Sequence, residues 1–286
     1  MSSSDIAYRT PSTVEAACSE WTDHPGAFYL AGATDLLPQV RMGRHTPSVL
    51  VDLKRIQALG EIQERSDGAL AVGAAVSLAQ VASDPLVKER YPLLVDCCLA
   101  VGSYPLRNRA TLAGNICNAS PAADTAAALL ALEAVVEVAS KGGNRTVPMG
   151  DFFKGPGKSA LEPGELVTHI VLPEESAGCQ GRYLRLARRR GVDLATVGVL
   201  VGRMGSGEPR VSLVAVAPTP MRVTEAEAVL RQEGFGEGSA EKAAQAAEAA
   251  ASPIDDVRGT AQYRKEMVAV LTARGVRALA QEAEEG

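Results

Sequence analysis

Short apolar runs alternate with polar, turn-forming stretches along the first two-thirds of the chain, which predicts interleaved strands and helices. Residues 27–31 read as an apolar strand entering a loop at Gly32, with a short helix over 35–42 behind it. Residues 48–52 and 69–73 have the same short apolar character. A helix is predicted after Pro11, with Ser12 or Thr13 as cap and Glu15 in its first turn, and another runs from Ser77 to about Ala82. Residues 91–101 and 125–132 continue in helical pattern. A strand over 135–139 then meets a turn at Lys141-Gly-Gly-Asn144. Residues 165–172 and 183–187 read as strands, and 197–203 is expected to pair with 211–217 across Gly205-Ser-Gly207.

Beyond this point the pattern changes. Segments 225–232, 239–251 and 261–283 are rich in Ala, Glu, Lys and Gln and poor in β-branched residues, so they read as helices. A mixed unit up to about residue 175, then a sheet followed by helices, predicts two α+β parts joined near 155–158 or 174–181. A length of 286 residues agrees, at roughly 150 residues per domain. No internal repeat is evident.

Composition removes several functional classes. A net charge of −5 argues against a nucleic-acid or anionic-membrane surface, and 4% aromatic residues leave little for base stacking. The five cysteines form no C-x-x-C pair, and the three histidines lack ligand spacing, so a metal or iron–sulfur site within this chain is not expected. Cys97 and Cys98 read as small core residues. The N-terminus lacks the apolar core of a signal peptide, and no uncharged apolar run approaches ~18 residues. No membrane insertion and a cytoplasmic location are the expectations.

Two loops carry candidate chemistry. In Ala31-Gly-Ala-Thr-Asp-Leu36, small residues permit close backbone approach, Thr34 offers a hydroxyl, and a helix N-terminus follows, which suits a diphosphate. Asp35 is a poor neighbour for an anion but stabilises a first helical turn. A plain strand-turn-helix is the bland alternative. The segment Thr111-Leu-Ala-Gly-Asn-Ile-Cys-Asn-Ala-Ser-Pro-Ala-Ala-Asp124 combines the open Gly114 with Thr111, Asn115, Asn118 and Ser120. Asp124 suits either a ribose or amine contact or a helix cap.

Together with Arg188-Arg-Arg-Gly-Val-Asp-Leu-Ala195, these loops resemble the FAD-binding medium subunit of molybdenum hydroxylases, the carbon monoxide dehydrogenase and xanthine dehydrogenase relatives. The resemblance covers essentially the whole chain, including Asp256-Val-Arg-Gly-Thr-Ala-Gln-Tyr-Arg-Lys265. It implies a two-lobed FAD-binding domain of the PCMH-type, vanillyl-alcohol oxidase-like kind over residues 1–176, with lobes of about 1–54 and 55–176. A small α+β C-terminal domain would occupy 177–286. By the same resemblance Ala31, Gly32, Ala33, Thr34, Asp35 and Leu36 would flank the FAD diphosphate opposite Ala110, Thr111, Gly114 and Asn115. Cys117 would lie near the flavin, Asp124 on the adenosine side, and Arg185 where positive charge favours the anionic reduced flavin. Asp193 matches an acid often present in this region, and Leu194 stands where some relatives cover the flavin with an aromatic. The family commonly pairs glycines where this chain has Ala33 and Ala113. Alanine costs on the order of 1 kcal/mol if either position needs a positive φ, and both positions are expected to accept it.

The implied function is electron transfer within a heterotrimer. A large subunit would hold molybdenum–pterin, a small subunit two [2Fe–2S] clusters, and FAD in this chain would pass electrons to an external acceptor, the whole forming a dimer of heterotrimers. Flavin redox chemistry needs no protein nucleophile or general base, so no catalytic residue is assigned. The alternatives are a self-sufficient FAD-dependent oxidoreductase on a related fold and a cofactor-less assembly subunit.

Overall fold

A computed structural model describes residues 6–285; the signal-peptide reading of residues 1–5 lies outside it. Strands β1 (Ala7–Arg9), β2 (Ala27–Leu30) and β3 (Val49–Asp52) alternate with helices α1 (Val14–Asp23) and α2 (Leu36–Arg41). The strands form a parallel sheet in the order β1-β3-β2, with the helices supplying the crossovers that parallel pairing requires. Thr13 caps α1 by accepting the Ala16 amide, as the pattern predicted.

Next come β4 (Ile62–Glu64), β5 (Leu70–Gly73) and a run of short helices. These are α3 (Leu78–Ser83), α4 (Pro85–Arg90), α5 (Pro92–Ala100), α6 (Tyr104–Arg107) and α7 (Leu112–Cys117). Each has its own start signal. Ser77 and Gln80 form a capping box, Asp84 caps α4 ahead of Pro85, Pro92 opens α5, and Ser103 and Thr111 cap α6 and α7. After α8 (Asp124–Ala131) follow β6 (Val135–Ser140), β7 (Gly143–Pro148), α9 (Met149–Phe152), β8 (Phe153–Gly155), β9 (Lys158–Ser159) and β10 (Leu166–Leu172). The antiparallel sheet β4-β5-β10-β6-β7 results. Gly155-Pro-Gly-Lys158 is the turn of the small β8–β9 hairpin, pinned by the Gly157 amide on Ala119 O at 2.9 Å, and links no separate parts.

The C-terminal part is an antiparallel sheet of β11 (Gln180–Leu186), β12 (Val197–Arg203), β13 (Pro209–Val214) and β14 (Met221–Arg222). Helices α10 (Thr224–Glu233), α11 (Glu237–Ala250) and α12 (Ala261–Glu285) accompany it, and the small residues Ala240, Ala243, Ala244 and Ala247 of α11 pack in one core with Val199, Val201 and Leu213. The β12–β13 hairpin turns through Met204–Glu208 as predicted.

Helix α8 joins the two parts. Every residue from Asp124 to Ala131 is buried, and one apolar cluster runs from Leu70 and Val72 through Leu129 to Leu200 and Val214. Polar ties reinforce it: Ser212 Oγ donates to Ala127 O at 2.7 Å, Arg210 Nε to Ala131 O at 3.1 Å, and the Ala215 amide to Pro121 O at 2.7 Å. Cys97 and Cys98 are buried in the same cluster, as their apolar surroundings predicted.

Candidate functional site

A cleft of about 650 Å³ opens where the loop after β2 meets α7 and the segment leading into α8. The volume falls in the range of small-molecule and cofactor sites. Ala31, Gly32, Ala33, Thr34, Asp35 and Leu36 line one wall; Ala110, Thr111, Gly114, Asn115, Cys117 and Asp124 line the other. The sequence-predicted residues are therefore gathered in one place, with the exception of Arg185.

The first wall offers a row of donors. The amides of Gly32, Ala33, Thr34, Asp35 and Leu36 find no protein acceptor among the described residues, and the first helical bond is Leu37 N to Ala33 O at 3.1 Å. Successive open N–H groups beside a helix start form an anion-binding concavity. Gly32 has a different role from the one its sequence suggests. A Cβ there would sit 2.2 Å from Arg109 O and 2.9 Å from Ala110 Cα, so the glycine permits contact between the two loops. Asn118 Nδ2 donates to Asp35 Oδ1 at 3.3 Å across the same junction. Ala33 adopts φ 68°, a left-handed conformation that costs alanine about 1–2 kcal/mol. Ala113 is helical within α7 and accepts alanine without strain.

The second wall is zipped to α3. Leu78 N donates to Ala110 O at 2.8 Å, and Thr111 forms an isolated bridge with Ser77. Thr111 Oγ1 accepts the Gly114 amide at 2.9 Å, so its hydroxyl serves as the α7 cap. Gly114 is otherwise open, since a Cβ there would meet only that hydroxyl. Asn115 Oδ1 accepts from Thr125 Oγ1 at 2.6 Å, fixing α7 to α8. The irregular segment predicted here is thus half helix.

Asp124 is neither the helix cap nor a free ligand group. Ala123 holds the cap position, while Asp124 Oδ1 accepts from Tyr183 Oη at 2.6 Å and Arg185 Nε at 2.9 Å. Burial pushes its carboxyl above the ordinary range, against the lowering effect of those two partners. Arg185 also donates to the Asp193 carbonyl, so it ties α8 to the 187–194 strap. That strap brings Arg189, Val192, Asp193 and Leu194 to the mouth of the cleft, and Arg188 clamps the Asp193 carboxylate at 2.8 and 3.1 Å. That clamp, together with the Leu194 amide, holds Asp193 at about 2. Tertiary folding also adds Phe28 and His45, whose rings lie 5.1 Å apart and tilted by 47°, and Gln39; they lie outside both motifs and carry no local signal. Cys117 lines the cleft, and burial pushes its thiol up to about 12, so it stays protonated at neutral pH.

Among the described residues, no group of three His, Cys, Asp or Glu side chains is placed to hold a metal ion, and no helix is long and apolar enough to cross a membrane.

Comparison with known proteins agrees with this geometry. Residues 4–175 match the FAD binding domain in molybdopterin dehydrogenase, and residues 182–279 match the CO dehydrogenase flavoprotein C-terminal domain. The chain is similar to the carbon monoxide dehydrogenase medium chain of Hydrogenophaga pseudoflava, at 33% identity over 87% of this chain and 88% of that one. It is 31% identical to the nicotine 6-hydroxylase medium subunit of Paenarthrobacter nicotinovorans, over 95% of this chain and 96% of the relative. The solved structure of quinoline 2-oxidoreductase from Pseudomonas putida 86 superposes with a TM-score of 0.90 at 30% identity, covering 97% of this chain and 98% of that chain.

Proposed function

The chain belongs to the FAD-binding medium subunits of the molybdenum hydroxylase family, and from that premise we propose how it holds its cofactor and works in its complex. The Ala31–Leu36 loop holds the FAD diphosphate on its open amides, with Gly114 giving room opposite. Asn115, Cys117 and Asp124 line the remainder, and Arg185 acts by holding Asp124 and the strap in place. The observation that carries this reading is the row of amides from Gly32 to Leu36, without a protein acceptor among the described residues, in the same cleft as Gly114.

FAD bound here would supply redox chemistry between iron–sulfur carriers and a second acceptor. The protein's part is to bind, orient and limit access. Val192 and Leu194 stand at the mouth, where they restrict water, and the Arg188–Asp193 clamp keeps their strap in position. Residues 1–176 carry the two loops in this reading, and 177–286 supply the strap and the β-sheet behind α8. The partners are a large molybdopterin subunit and a small [2Fe–2S] subunit, assembled as a dimer of heterotrimers in the cytoplasm, with an external electron acceptor.

The test is an absorption spectrum, metal analysis and subunit gel of the complex purified from its host. Stoichiometric flavin travelling with molybdenum, iron–sulfur absorption and two further chains is the expected result. Flavin on a lone, active chain would replace this reading by a self-sufficient oxidoreductase. A colourless chain that refuses added FAD would replace it by an assembly subunit.

A further inference from the structure

Lys54 sits in the short turn that follows β3 and is not part of the cleft lining among the described residues. Its ammonium donates to Asp52 Oδ1 at 2.6 Å and to Ala31 O at 3.3 Å. Asp52 is 4% exposed and also accepts the Lys54 amide at 3.0 Å and the Tyr8 hydroxyl. Burial works to raise the Asp52 carboxyl, but the bonds from Lys54 and Tyr8 outweigh it and hold the group below its ordinary range. The ammonium is therefore anchored on a fixed carboxylate, and its second bond reaches the carbonyl just before the open amides.

Peptide geometry turns this contact into an orientation. A trans peptide is planar, with its C=O and N–H pointing in opposite directions. Lys54 is absent from the cleft lining and holds the Ala31 carbonyl, so the N–H of Gly32 in the same peptide points away from Lys54. Gly32 has little room to readjust, because even a Cβ there would run into the Arg109 and Ala110 backbone.

Resting on the proposed FAD site, we propose that Lys54 is a positioning residue that aims the Gly32 amide at the cofactor diphosphate by holding the Ala31 carbonyl. Its charge is already matched by Asp52, so it acts through direction and not as a phosphate counter-ion. A hydrogen bond to a charged group that loses its alignment corresponds to about tenfold or more in affinity.

The experiment compares the full-length wild-type chain with Lys54→Met, Lys54→Arg and Tyr8→Phe. Each is stripped of flavin, titrated with FAD by flavin fluorescence, melted without FAD, and examined by phosphorus NMR with FAD bound. Lys54→Met is expected to bind FAD about tenfold more weakly and to shift the diphosphate resonances, and Lys54→Arg to recover most of the affinity. Tyr8→Phe removes only the bond to Asp52 Oδ2 and keeps both Lys54 bonds to Oδ1 and the Lys54 bond to Ala31 O, so it is expected to lower the melting temperature while leaving the affinity and resonances unchanged. Lys54→Gln replaces Lys54→Met should the latter fail to fold. Wild-type affinity in Lys54→Met, or an equal loss in Tyr8→Phe, would overturn the inference alone. A wild-type chain that takes up no FAD would overturn the proposed function and this inference with it.

Discussion

A methyl group added at Gly32 would lie 2.2 Å from Arg109 O and 2.9 Å from Ala110 Cα. Carbon and carbonyl oxygen rest at about 3.3 Å or more, so one backbone must retreat by about 1 Å. Neither neighbour can yield by rotating a side chain, and Ala110 is held by the Leu78 amide. Overpacking costs about 1–3 kcal/mol, and two backbones in contact place Gly32→Ala near the upper end, about 3 kcal/mol. The next residue makes the opposite demand. Ala33 at φ 68° carries about 1–2 kcal/mol of strain, of which glycine returns part through its greater freedom when unfolded, about 0.4–1 kcal/mol. Ala33→Gly is therefore expected to stabilise by about 0.5–1 kcal/mol. The assay is thermal melting of the flavin-free chain, at roughly 2–4 °C per kcal/mol, with an FAD titration beside it. Gly32→Ala should melt lower and bind FAD at least about tenfold more weakly, because the open amides move with the loop. Ala33→Gly should melt higher with affinity retained. A Gly32→Ala variant with wild-type melting and affinity, or an Ala33→Gly variant that melts lower, would refute this account of the loop.

Gly114→Val points its side chain into the open cleft and crowds the Thr111 cap, so FAD uptake should vanish for a stability loss of about 1 kcal/mol; retained stoichiometric flavin would place the cofactor elsewhere. Asp124 has its carboxyl raised in the folded chain, so above about pH 4 the unfolded chain ionises first and the wild type loses stability as pH rises through that window. The stability of the wild type relative to Asp124→Asn, from urea unfolding, should therefore fall as pH rises above about 4, and a rise would contradict the assignment. Arg185→Met leaves Asp124 with Tyr183 alone and frees the Asp193 carbonyl. It should cost about 3 kcal/mol and speed tryptic cleavage at the exposed Arg188–Arg190, which wild-type cleavage kinetics would rule out.

The two cleft walls were legible because their residue types are unusual at close spacing: small residues beside short polar ones, each run leading into a helix. The reasons were less legible than the positions. Gly32 suggested approach to a ligand, yet its empty side is taken by Arg109 and Ala110, residues 77 or more positions away that no local pattern can anticipate. Asp124 offered cap or ligand contact and proved to hold Tyr183 and Arg185 across the molecule. Helices α4, α6 and α7 escaped periodicity because four to six residues are too few to show a face, and their caps, Asp84, Ser103 and Thr111, emerge only in the structure. Strands β1, β4 and β7 escaped for a related reason. They are partly or largely exposed, so they lack the apolar run that marked β2, β3 and β5.

Helix α8 has no solvent face, and this constrains how such a chain can change over generations. Ala126, Ala127, Ala128 and Ala131 are all fully buried, with Ser212 and Arg210 of the C-terminal sheet bonded to the carbonyls of Ala127 and Ala131. In a close-packed layer of this kind, a larger side chain on the helix must be answered by a smaller one on whichever sheet it meets. The two halves therefore share one inheritance. Exchanging residues after 180 with those of a relative replaces one face of the layer and keeps the other, so a chimera inherits mismatched packing directly beneath the cleft even when every cleft residue is its own.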